Sequence, residues 1–302
     1  MRRSVDAGLL LDKPTGITSN AALQAAKRLY RAQKAGHAGT LDPLASGLLL
    51  VLFGEATKFA GPLLAADKEY VARVRLGVTT STGDAEGAVL ERRDVRLEDA
   101  VVEATLAKFR GTVSQIPPMY SALKHEGRPL YRLAREGKTV ERQPRAVEIH
   151  ELELLGRTSD ELELRVRCSK GTYVRTLAED IGAALEVGAH LVALRRTAAG
   201  SLHVGNATTL DALEGMDEAG RDRRLLPLAQ LLGDLPRAEL EPAREARFRN
   251  GQPVPHPGTR EGLRAVFAAD GRFIGLGQAS PEGALRPLRL TATPPGDAQA
   301  AE

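Results

Sequence analysis

The most unusual stretch of the sequence is a glycine-rich segment, residues 36–47, that contains a single carboxylate, Asp42. Its three glycines permit tight turns or a close approach of the backbone to a ligand. Pro43 follows Asp42, which biases the aspartate toward extended geometry. A predicted helix precedes the segment and a predicted buried strand follows it, so the carboxylate would be rigidly supported, as a catalytic group must be. The alternative is structural, since an isolated Asp-Pro pair more often caps a turn.

Several motifs of common enzyme sites are absent from the sequence. It has no phosphate-binding Gly-x4-Gly-Lys loop, no Gly-x-Ser-x-Gly turn and no Gly-x-Gly-x-x-Gly after a strand. These absences argue against an NTPase, a serine hydrolase and a nicotinamide enzyme. Cys168 is the only cysteine, and the six histidines are scattered. We therefore expect neither a disulfide framework nor a metal site.

The size and composition predict a large domain accompanied by a small one. The chain has 302 residues, 42% of them hydrophobic, but no Trp, so the core must depend on Leu, Val and Ala. The longest apolar run, residues 48–53, is too short to span a bilayer, and no signal-peptide core follows the first arginines. We expect a cytoplasmic protein with no membrane partner.

The distribution of charge along the chain is more informative than its net charge. Net charge is +3, but residues 27–34 contain four basic side chains and no acid, and residues 124–145 contain seven basic side chains against three acids. Such local density is what binding to RNA phosphates requires. Either cluster taken singly could also be a solvated helix face.

Hydrophobic periodicity predicts a mixture of strands and helices. Residues 68–76 alternate as a strand with Tyr70 on the inward face, and residues 161–168 do the same with Cys168 inward, as a core residue. Further helices are predicted over 19–31, 55–65, 97–110 and 173–185, and further strands over 8–11, 48–53 and 191–194. Without regular βαβ spacing, this predicts an α+β fold with a mixed, largely antiparallel sheet flanked by helices.

The C-terminal part is predicted to be a separate small module. Residues 211–240 are acidic and have the composition of a linker, and the Asp270-Gly271 pair predicts a hairpin turn in a compact β unit. From about residue 291 the chain is rich in Ala, Pro and Gly, which predicts a disordered tail.

A resemblance adds to this reading of the residues. The segment HAGTLDPLASG (37–47), continued by GEATK (54–58), resembles the catalytic motif of bacterial tRNA pseudouridine-55 synthases, the TruB family. Six further blocks occur in the order of that family: LDKPTGITS (11–19), KEY (68–70), PPMYSALK (117–124), YRLAR (131–135), CSKGTYVRTL (168–177) and LRRT (194–197). Ala38 departs from the Thr of many relatives and leaves the position of Asp42 untouched.

The resemblance implies a pseudouridine synthase fold with a PUA-like C-terminal β domain. The domain boundaries it implies are 1–235 for the catalytic domain, 236–290 for the PUA-like domain and 291–302 for the tail. A mobile RNA-binding thumb is implied at about residues 122–146, within the catalytic domain. This thumb has little apolar content to bury when no RNA is present.

The activity that the resemblance implies is an intramolecular transfer. In uridine the N1–C1′ bond breaks and a C5–C1′ bond forms, with no redox change and no cofactor. Asp42 is implied as the essential carboxylate, acting as a nucleophile or through a glycal-type intermediate. Arg175 is implied as its partner, since a positive charge nearby would favour the ionised form. Tyr70 is implied to stack on the base and help move the C5 proton, although core packing would be the usual reading of such a tyrosine.

Further residues are implied to bind the substrate. Tyr173 and Leu194 match base-pocket positions, and His37 matches the residue that enters the tRNA loop when the uridine flips out. The thumb residues Lys124, Arg128 and Arg132 are implied to contact RNA.

The implied partner is the T-arm of tRNA, bound by a monomer without a guide RNA. Two alternatives remain at this stage. A guide-RNA-dependent enzyme related to dyskerin is disfavoured by the thumb-like insertion and the short C-terminal module. A silent RNA-binding protein would not need Asp42, Tyr70 and Arg175 together.

Overall fold

The computed structural model describes residues 2–121, 123–258 and 260–292. The elements up to residue 115 are β1 (Gly8–Lys13), α1 (Ser19–Leu29), β2 (Ala35–Ala38), β3 (Ala45–Phe53), a 3-10 helix (Gly54–Phe59), α2 (Ala60–Ala65), β4 (Lys68–Leu76), β5 (Val78–Thr80), β6 (Val89–Arg92), α3 (Asp99–Ala107) and β7 (Gly111–Gln115). Those of the middle part are β8 (Lys124–His125), β9 (Arg128–Pro129), α4 (Leu130–Arg135), β10 (Arg145–Arg157), β11 (Glu161–Cys168), α5 (Val174–Ala184) and β12 (Ala189–Ala199).

The remaining elements cover the C-terminal third. They are β13 (Leu202–His203), a 3-10 turn (Val204–Asn206), β14 (Thr208–Thr209), α6 (Leu210–Glu214), α7 (Glu218–Asp222), β15 (Leu225–Leu226), α8 (Leu228–Leu231), β16 (Arg237–Leu240), α9 (Pro242–Arg249), β17 (Val254–Pro255), β18 (Gly262–Ala268), β19 (Phe273–Ala279) and β20 (Ala284–Leu290).

One large mixed sheet organises the first 226 residues. Its order is β14-β1-β3-β12-β4-β11-β10-β7, with β2, β13 and β15 on side branches. Among the described residues, the parallel pairs of this sheet are β1 with β14 and β12 with β3; the other pairs are antiparallel. The predicted α+β class with a largely antiparallel sheet is confirmed.

Strand β3 shows why the centre of the sheet is stable. Leu49 and Val51 face a core formed with α1 and α6, whereas Leu48 and Leu50 face a second core formed with α2 and the C-terminal domain. A strand that is buried on both faces reads as a continuous apolar run, as residues 48–53 do. Helices α3 and α5 cover a third core under β4, β10 and β11.

Two predicted strands have the expected bounds and inward faces, and helix α1 has the expected start but ends at Leu29, two residues before the predicted end. β4 covers residues 68–76 and β11 covers 161–168, where Cys168 is 1% exposed. Thr18 caps α1, accepting a hydrogen bond from the Ala21 amide at 3.0 Å. These elements could be predicted because amphipathic periodicity is strongest in elements with one buried face.

The predicted bounds of the glycine-rich loop, residues 36–47, are wrong at both ends. Residues 35–38 form β2, where His37 pairs with Val51, and β3 begins at Ala45. The connecting loop is therefore Gly39 to Leu44. An Ala-Gly-His-Ala sequence has little strand propensity of its own, and pairing with the buried β3 overrides it.

Three other expectations need correction. The helix predicted over 55–65 begins as a 3-10 helix, and the strand predicted over 191–194 extends over 189–199. Residues 211–240 are not a linker. Leu213 is fully buried beside α1, β15 pairs with β1, and the Tyr30 hydroxyl donates to the Arg221 carbonyl at 2.7 Å. Short helices with single buried residues leave no periodic signal, so composition alone suggests a linker here.

A second sheet follows, with the order β16-β18-β19-β20-β17. Its β18–β19 hairpin turns at Gly271, where φ is +84°, as the Asp-Gly pair predicts. Leu276 of this domain packs in the same core as Leu48, and the Phe273 ring meets Phe59 edge-on at 5.4 Å. The predicted tail beyond Ala292 lies outside the described residues.

Within the described ranges, no helix has the length and hydrophobicity needed to cross a membrane.

Candidate active site

A cleft of about 300 Å³ opens where the 39–44 loop meets the large sheet. The loop supplies Asp42, β4 supplies Tyr70, the start of α5 supplies Tyr173 and Arg175, and β12 supplies Leu194. The structure thus brings together five of the site residues predicted from the sequence. The volume is at the small end of the range of roughly 300–1,000 Å³ that ligand pockets occupy.

Asp42 is half-exposed and directly bonded to Arg175. The Nη2 of Arg175 donates to Oδ2 of Asp42 at 2.5 Å, while Arg175 itself is 6% exposed. Among the described residues, none donates a hydrogen bond to the other carboxylate oxygen, Oδ1. One oxygen is therefore held in place, and the Asp42 side chain lines the cleft.

Arg175 has a second acidic partner that sequence reasoning missed. Its Nε lies 3.4 Å from Oδ2 of Asp84, a buried carboxylate. Thr82 donates to Oδ1 of Asp84 at 2.5 Å, and its carbonyl accepts from Nη1 of Arg175 at 3.2 Å. Residues 79–87 have the composition of a polar turn, and nothing in that composition indicates that the turn folds back onto α5.

The loop that carries Asp42 is held to the sheet by Arg196 of β12, which is 2% exposed. Its guanidinium donates to three carbonyls, those of Leu48 at 2.7 Å, Gly39 at 3.1 Å and Thr40 at 3.4 Å. Arg196 belongs to the LRRT block, but no pattern in the sequence indicates what it contacts. Because its three acceptors are backbone atoms, the residue types in the loop give no indication of the interaction.

Gly47 completes this support. Its φ is +98°, and a Cβ atom there would lie 2.3 Å from the Arg196 carbonyl. β3 and β12 can approach each other at this point because residue 47 has no side chain.

Lys13 is a second buried cation beneath the loop. It is fully buried, and its ammonium donates to the Pro14 and Ile17 carbonyls at 2.8 Å each. Burial lowers the pKa of Lys13 to about 8, against an opposing attraction from Asp42. The Gly16 amide donates to the Pro43 carbonyl at 2.8 Å, so the turn that Lys13 holds also supports the Asp42 loop.

Tyr70 and Tyr173 present neutral phenols to the cleft. Burial raises the pKa of Tyr70, an effect that the nearby Arg196 charge partly opposes. Burial also raises the pKa of Tyr173, whose backbone exchanges hydrogen bonds with the Gln115 amide. Both hydroxyls therefore keep their protons at neutral pH.

His37 does not line the cleft that contains Tyr70. It lines a second cavity, of about 750 Å³, whose wall also includes Asp42 and Arg175. Burial lowers the pKa of His37, and the Arg196 charge lowers it further, so its ring is neutral at pH 7. The buried Nδ1 has no hydrogen-bond partner among the described residues. His37 and Tyr70 thus approach Asp42 from two adjoining cavities.

The predicted thumb is a small hairpin, β8–β9, followed by α4. Lys124, Arg128 and Arg132 are exposed, and Arg128 pairs with Glu136 at 2.5 Å. None of the three lines the described cavities near Asp42. The expectation that this segment buries little apolar surface is wrong for α4, where Leu130 and Leu133 are buried.

Two other residues of α4 face the active site. Tyr131 and Arg135 line the cavity shared by His37 and Asp42, with the Arg135 guanidinium 5.8 Å from the centre of the Tyr131 ring. They lie four residues apart, so they share a helix face that the predicted set did not include.

The described residues contain no cluster of three His, Cys, Asp or Glu side chains placed to hold a metal ion.

Family models match most of the chain, residues 27–233 and 236–291. Residues 27–174 match the TruB family pseudouridylate synthase N-terminal domain, and 175–233 match the tRNA pseudouridylate synthase B C-terminal domain. Residues 236–291 match the C-terminal domain of pseudouridine synthase II TruB.

Curated relatives are similar over their full length. The tRNA pseudouridine synthase B of Burkholderia mallei (strain NCTC 10247) is 55% identical over 299 residues, covering 97% of this chain and 99% of the relative. That of Azoarcus sp. (strain BH72) is 53% identical over 295 residues, covering 98% of each.

Solved structures share the fold. A chain of an H/ACA RNP bound to a substrate RNA containing 2′-deoxyuridine superposes with a TM-score of 0.73 at 25% identity, covering 95% of this chain and 85% of the other. A chain of the archaeal box H/ACA sRNP Nop10-Cbf5 complex gives 0.72 at 26% identity, covering 94% and 85%.

Proposed function

This chain belongs to the TruB family of pseudouridine synthases, and we propose that it converts uridine to pseudouridine in the T-loop of tRNA, at position 55, without a guide RNA. The observation that carries the proposal is the cleft in which Asp42, held through one oxygen by Arg175, faces Tyr70 and Leu194. The names of the curated relatives support tRNA as the substrate. The proposed place of action is the cytoplasm, and the proposed active form is a monomer.

The chemistry conserves atoms and electrons. The N1–C1′ bond of uridine breaks, the uracil ring rotates, and a C5–C1′ bond forms; the proton on C5 leaves and N1 gains one. In our proposal Asp42 begins the reaction with its free Oδ1, either by attack on the ribose or by a glycal-type route. Arg175 fixes the carboxylate's orientation, so that little geometric rearrangement is needed when the substrate arrives.

Tyr70 is proposed to stack on the uracil ring and to assist removal of the C5 proton. Its raised pKa keeps the hydroxyl protonated, so the phenol can donate a hydrogen bond or pass a proton through exchange, but it does not rest as a phenolate. Leu194 and Tyr173 would complete the walls around the base.

The target uridine must leave the loop's base stack to reach this cleft. Unstacking and flipping cost a few kcal/mol. We propose that His37, whose ring is neutral, occupies the vacated space and recovers part of that cost by stacking. Its unpartnered Nδ1 would then find a hydrogen-bonding group on the RNA.

A guide-RNA-dependent reaction is the second candidate, because the two superposed structures are H/ACA particles. Two features of this chain favour the stand-alone reaction. The α4 segment places Tyr131 and Arg135 on the wall of the cavity that Asp42 also lines, and the relatives matched over nearly their full length are named as tRNA enzymes.

The test is incubation of the purified protein with an unmodified tRNA transcript, with EDTA and without any other RNA. We expect pseudouridine at the T-loop uridine and none in a control transcript in which that uridine is replaced by cytidine. Conversion that requires an added guide RNA would reject the stand-alone function, and modification elsewhere in the tRNA would reject the proposed target.

A further inference from the structure

The exposed side of α1 carries a polar stripe without an acidic residue. Asn20, Gln24 and Arg28 follow one another at intervals of four residues and are exposed. The opposite side packs Leu23 and Ala26 into the core. The eleven residues of α1 include no Asp or Glu.

Both ends of this stripe open into cavities. At the N-terminal end, Asn20 lines the cavity that contains Asp42 and His37. At the C-terminal end lies a groove of about 400 Å³, which we call the α1 groove, lined by Arg2, Gln24, Lys27, Arg28, Arg31 and Ala32. Four of these six residues are cations and none is an acid.

The cations of the α1 groove differ in whether they are already paired. Arg31 contacts Glu218. Arg2, Lys27 and Arg28 form no ion pair or side-chain hydrogen bond with any residue in the described ranges. Three unpaired positive charges around one concave surface repel each other unless an anion is bound, which makes the groove suitable for phosphates.

The helix dipole accounts for part of this arrangement. Lys27 and Arg28 lie in the last turn of α1, where positive side chains stabilise a helix. That effect does not involve Arg2, which comes from another part of the chain. Nor does it explain Arg31, which takes a φ of +51° at the end of the helix, where glycine would be favoured.

From these observations we propose that the α1 stripe and groove bind the phosphate backbone of the RNA strand that leaves the active site. The proposal rests on the proposed function. α1 is about 16 Å long at 1.5 Å per residue. Since a duplex strand carries a phosphate roughly every 3.4 Å along its axis, the groove would meet phosphates within about five nucleotides of the target uridine. The RNA would then be held between α4 on one side and α1 on the other.

The first test is the variant R2Q/K27Q/R28Q, compared with R92Q/R96Q/K108Q, which removes three exposed charges elsewhere on the same domain. Each phosphate that the protein no longer neutralises lowers the slope of log affinity against log salt by roughly 0.7 to 0.9. We expect the slope to fall by about two units in the groove variant and to stay the same in the control. The single-turnover rate at saturating enzyme should change less than about twofold, because no mutated residue contacts the reacting atoms.

The second test locates the contact on the RNA. Single phosphates within five nucleotides of the target are replaced by neutral methylphosphonates, and binding is measured for the wild type and the groove variant. At least one replacement should weaken the wild type several-fold and leave the groove variant unaffected, which is the signature of a direct pair.

The outcomes separate the two proposals. A wild type that makes no pseudouridine contradicts the proposed function. An active wild type whose groove variant keeps the full salt slope, or in which every methylphosphonate effect is additive, overturns the α1 proposal alone.

Discussion

The loop that carries Asp42 and the thumb around α4 are held in opposite ways. The loop, residues 39–44, is fixed to the sheet by the buried guanidinium of Arg196, and its carboxylate is fixed by Arg175. The described part of the thumb, residues 123–146, is mostly exposed, and its helix is anchored by the buried side chains of Leu130 and Leu133.

The contrast indicates how the two tasks are divided. Bond rearrangement depends on placing one carboxylate within a few tenths of an ångström, which buried charge-assisted hydrogen bonds can do. Capture of an RNA depends on the number of positive charges within reach, and it tolerates motion. Mutations in the loop's supports should therefore reduce kcat, and mutations in the thumb should reduce affinity.

Replacing Asp42 with Asn should have the largest effect. Asn keeps the size of the side chain but cannot act as the carboxylate, so we expect the rate to fall by at least about 10³-fold while tRNA affinity stays within several-fold. Single-turnover conversion and filter binding measure the two quantities. Turnover close to that of the wild type would remove Asp42 from the chemistry.

Replacing Arg196 with Lys should affect both the fold and the rate. An ammonium cannot reach the carbonyls of Gly39, Thr40 and Leu48 together, so buried acceptors are left without donors at a cost of about 1–3 kcal/mol. Displacement of the loop by about 1 Å can reduce kcat about 100-fold. The matched control is the adjacent Arg195→Lys, whose side chain pairs with the partly buried Asp12.

Arg196→Lys could lower stability and still keep a kcat equal to that of Arg195→Lys. In that case Arg196 would support the fold only, and the conclusion that the supports of the Asp42 loop determine kcat would be wrong.

Replacing Arg175 with Lys tests the other support. The planar guanidinium contacts Asp42, Asp84 and two backbone carbonyls at once, which a point charge cannot reproduce. We expect kcat to fall about 10- to 100-fold with a smaller change in KM. An unchanged kcat would show that the charge of Arg175 is sufficient and its shape is not needed.

Neutralising Lys124, Arg128 and Arg132 together should change binding and leave chemistry nearly intact. The salt slope should fall by roughly 0.7 to 0.9 for each phosphate that the variant no longer binds, and less for Arg128, whose partner Glu136 compensates part of its charge. R92Q/R96Q/K108Q again serves as the control. An unchanged slope would mean that these residues are an ordinary solvated surface; a large drop in single-turnover rate would mean that closure of the thumb gates base flipping.

The smallest effect concerns pH and stability. Burial lowers the pKa of Lys13 and of Lys68 to about 8, whereas unfolded lysine titrates near 10.5. Between these values the unfolded chain binds more protons than the folded one, so stability rises with pH. We expect the free energy of unfolding to increase by on the order of 2 kcal/mol from about pH 7.5 to about pH 9.5.

Two groups oppose this rise. Burial raises the pKa of the Cys168 thiol from 9.0 to about 11, which offsets part of the lysine effect near pH 9, and it raises the pKa of Tyr30 from 10.0 to about 12, which acts at higher pH. Urea unfolding at the two pH values measures the change. Lys68→Met should make the rise in unfolding free energy smaller, whereas a thumb variant such as Lys124→Met should leave it unchanged. If the wild type and both variants show the same rise, the buried lysine Lys68 does not contribute to it.

The sequence predicted those parts of the fold that have a regular buried face. The period of two in residues 68–76 placed Tyr70 inward, and the resemblance of the 168–177 block placed Arg175, which lies against Asp42 in the structure. In both cases the information is local, either a periodicity or a contiguous motif.

Contacts between distant segments could not be predicted in the same way. Arg196 bonds to backbone atoms about 150 residues away, and Asp84 is buried by the folding of a polar turn onto α5. Residues 211–240 have the composition of a linker, but they pack against the N-terminal strand and helix. Tertiary contacts, which composition does not encode, decide these positions.

The packing of Leu276 against Leu48 has a consequence for synthesis on the ribosome. One side of β3, the strand that leads away from the Asp42 loop, is covered partly by α2 and partly by residues that include Leu276, which is translated more than 200 positions later. At about 5–20 residues per second, the part that Leu276 covers stays open for roughly ten seconds or more after β3 is made. The nascent chain therefore leaves part of one leucine-rich face of β3 uncovered during most of its translation, and a chaperone that recognises such surfaces would have its binding site there.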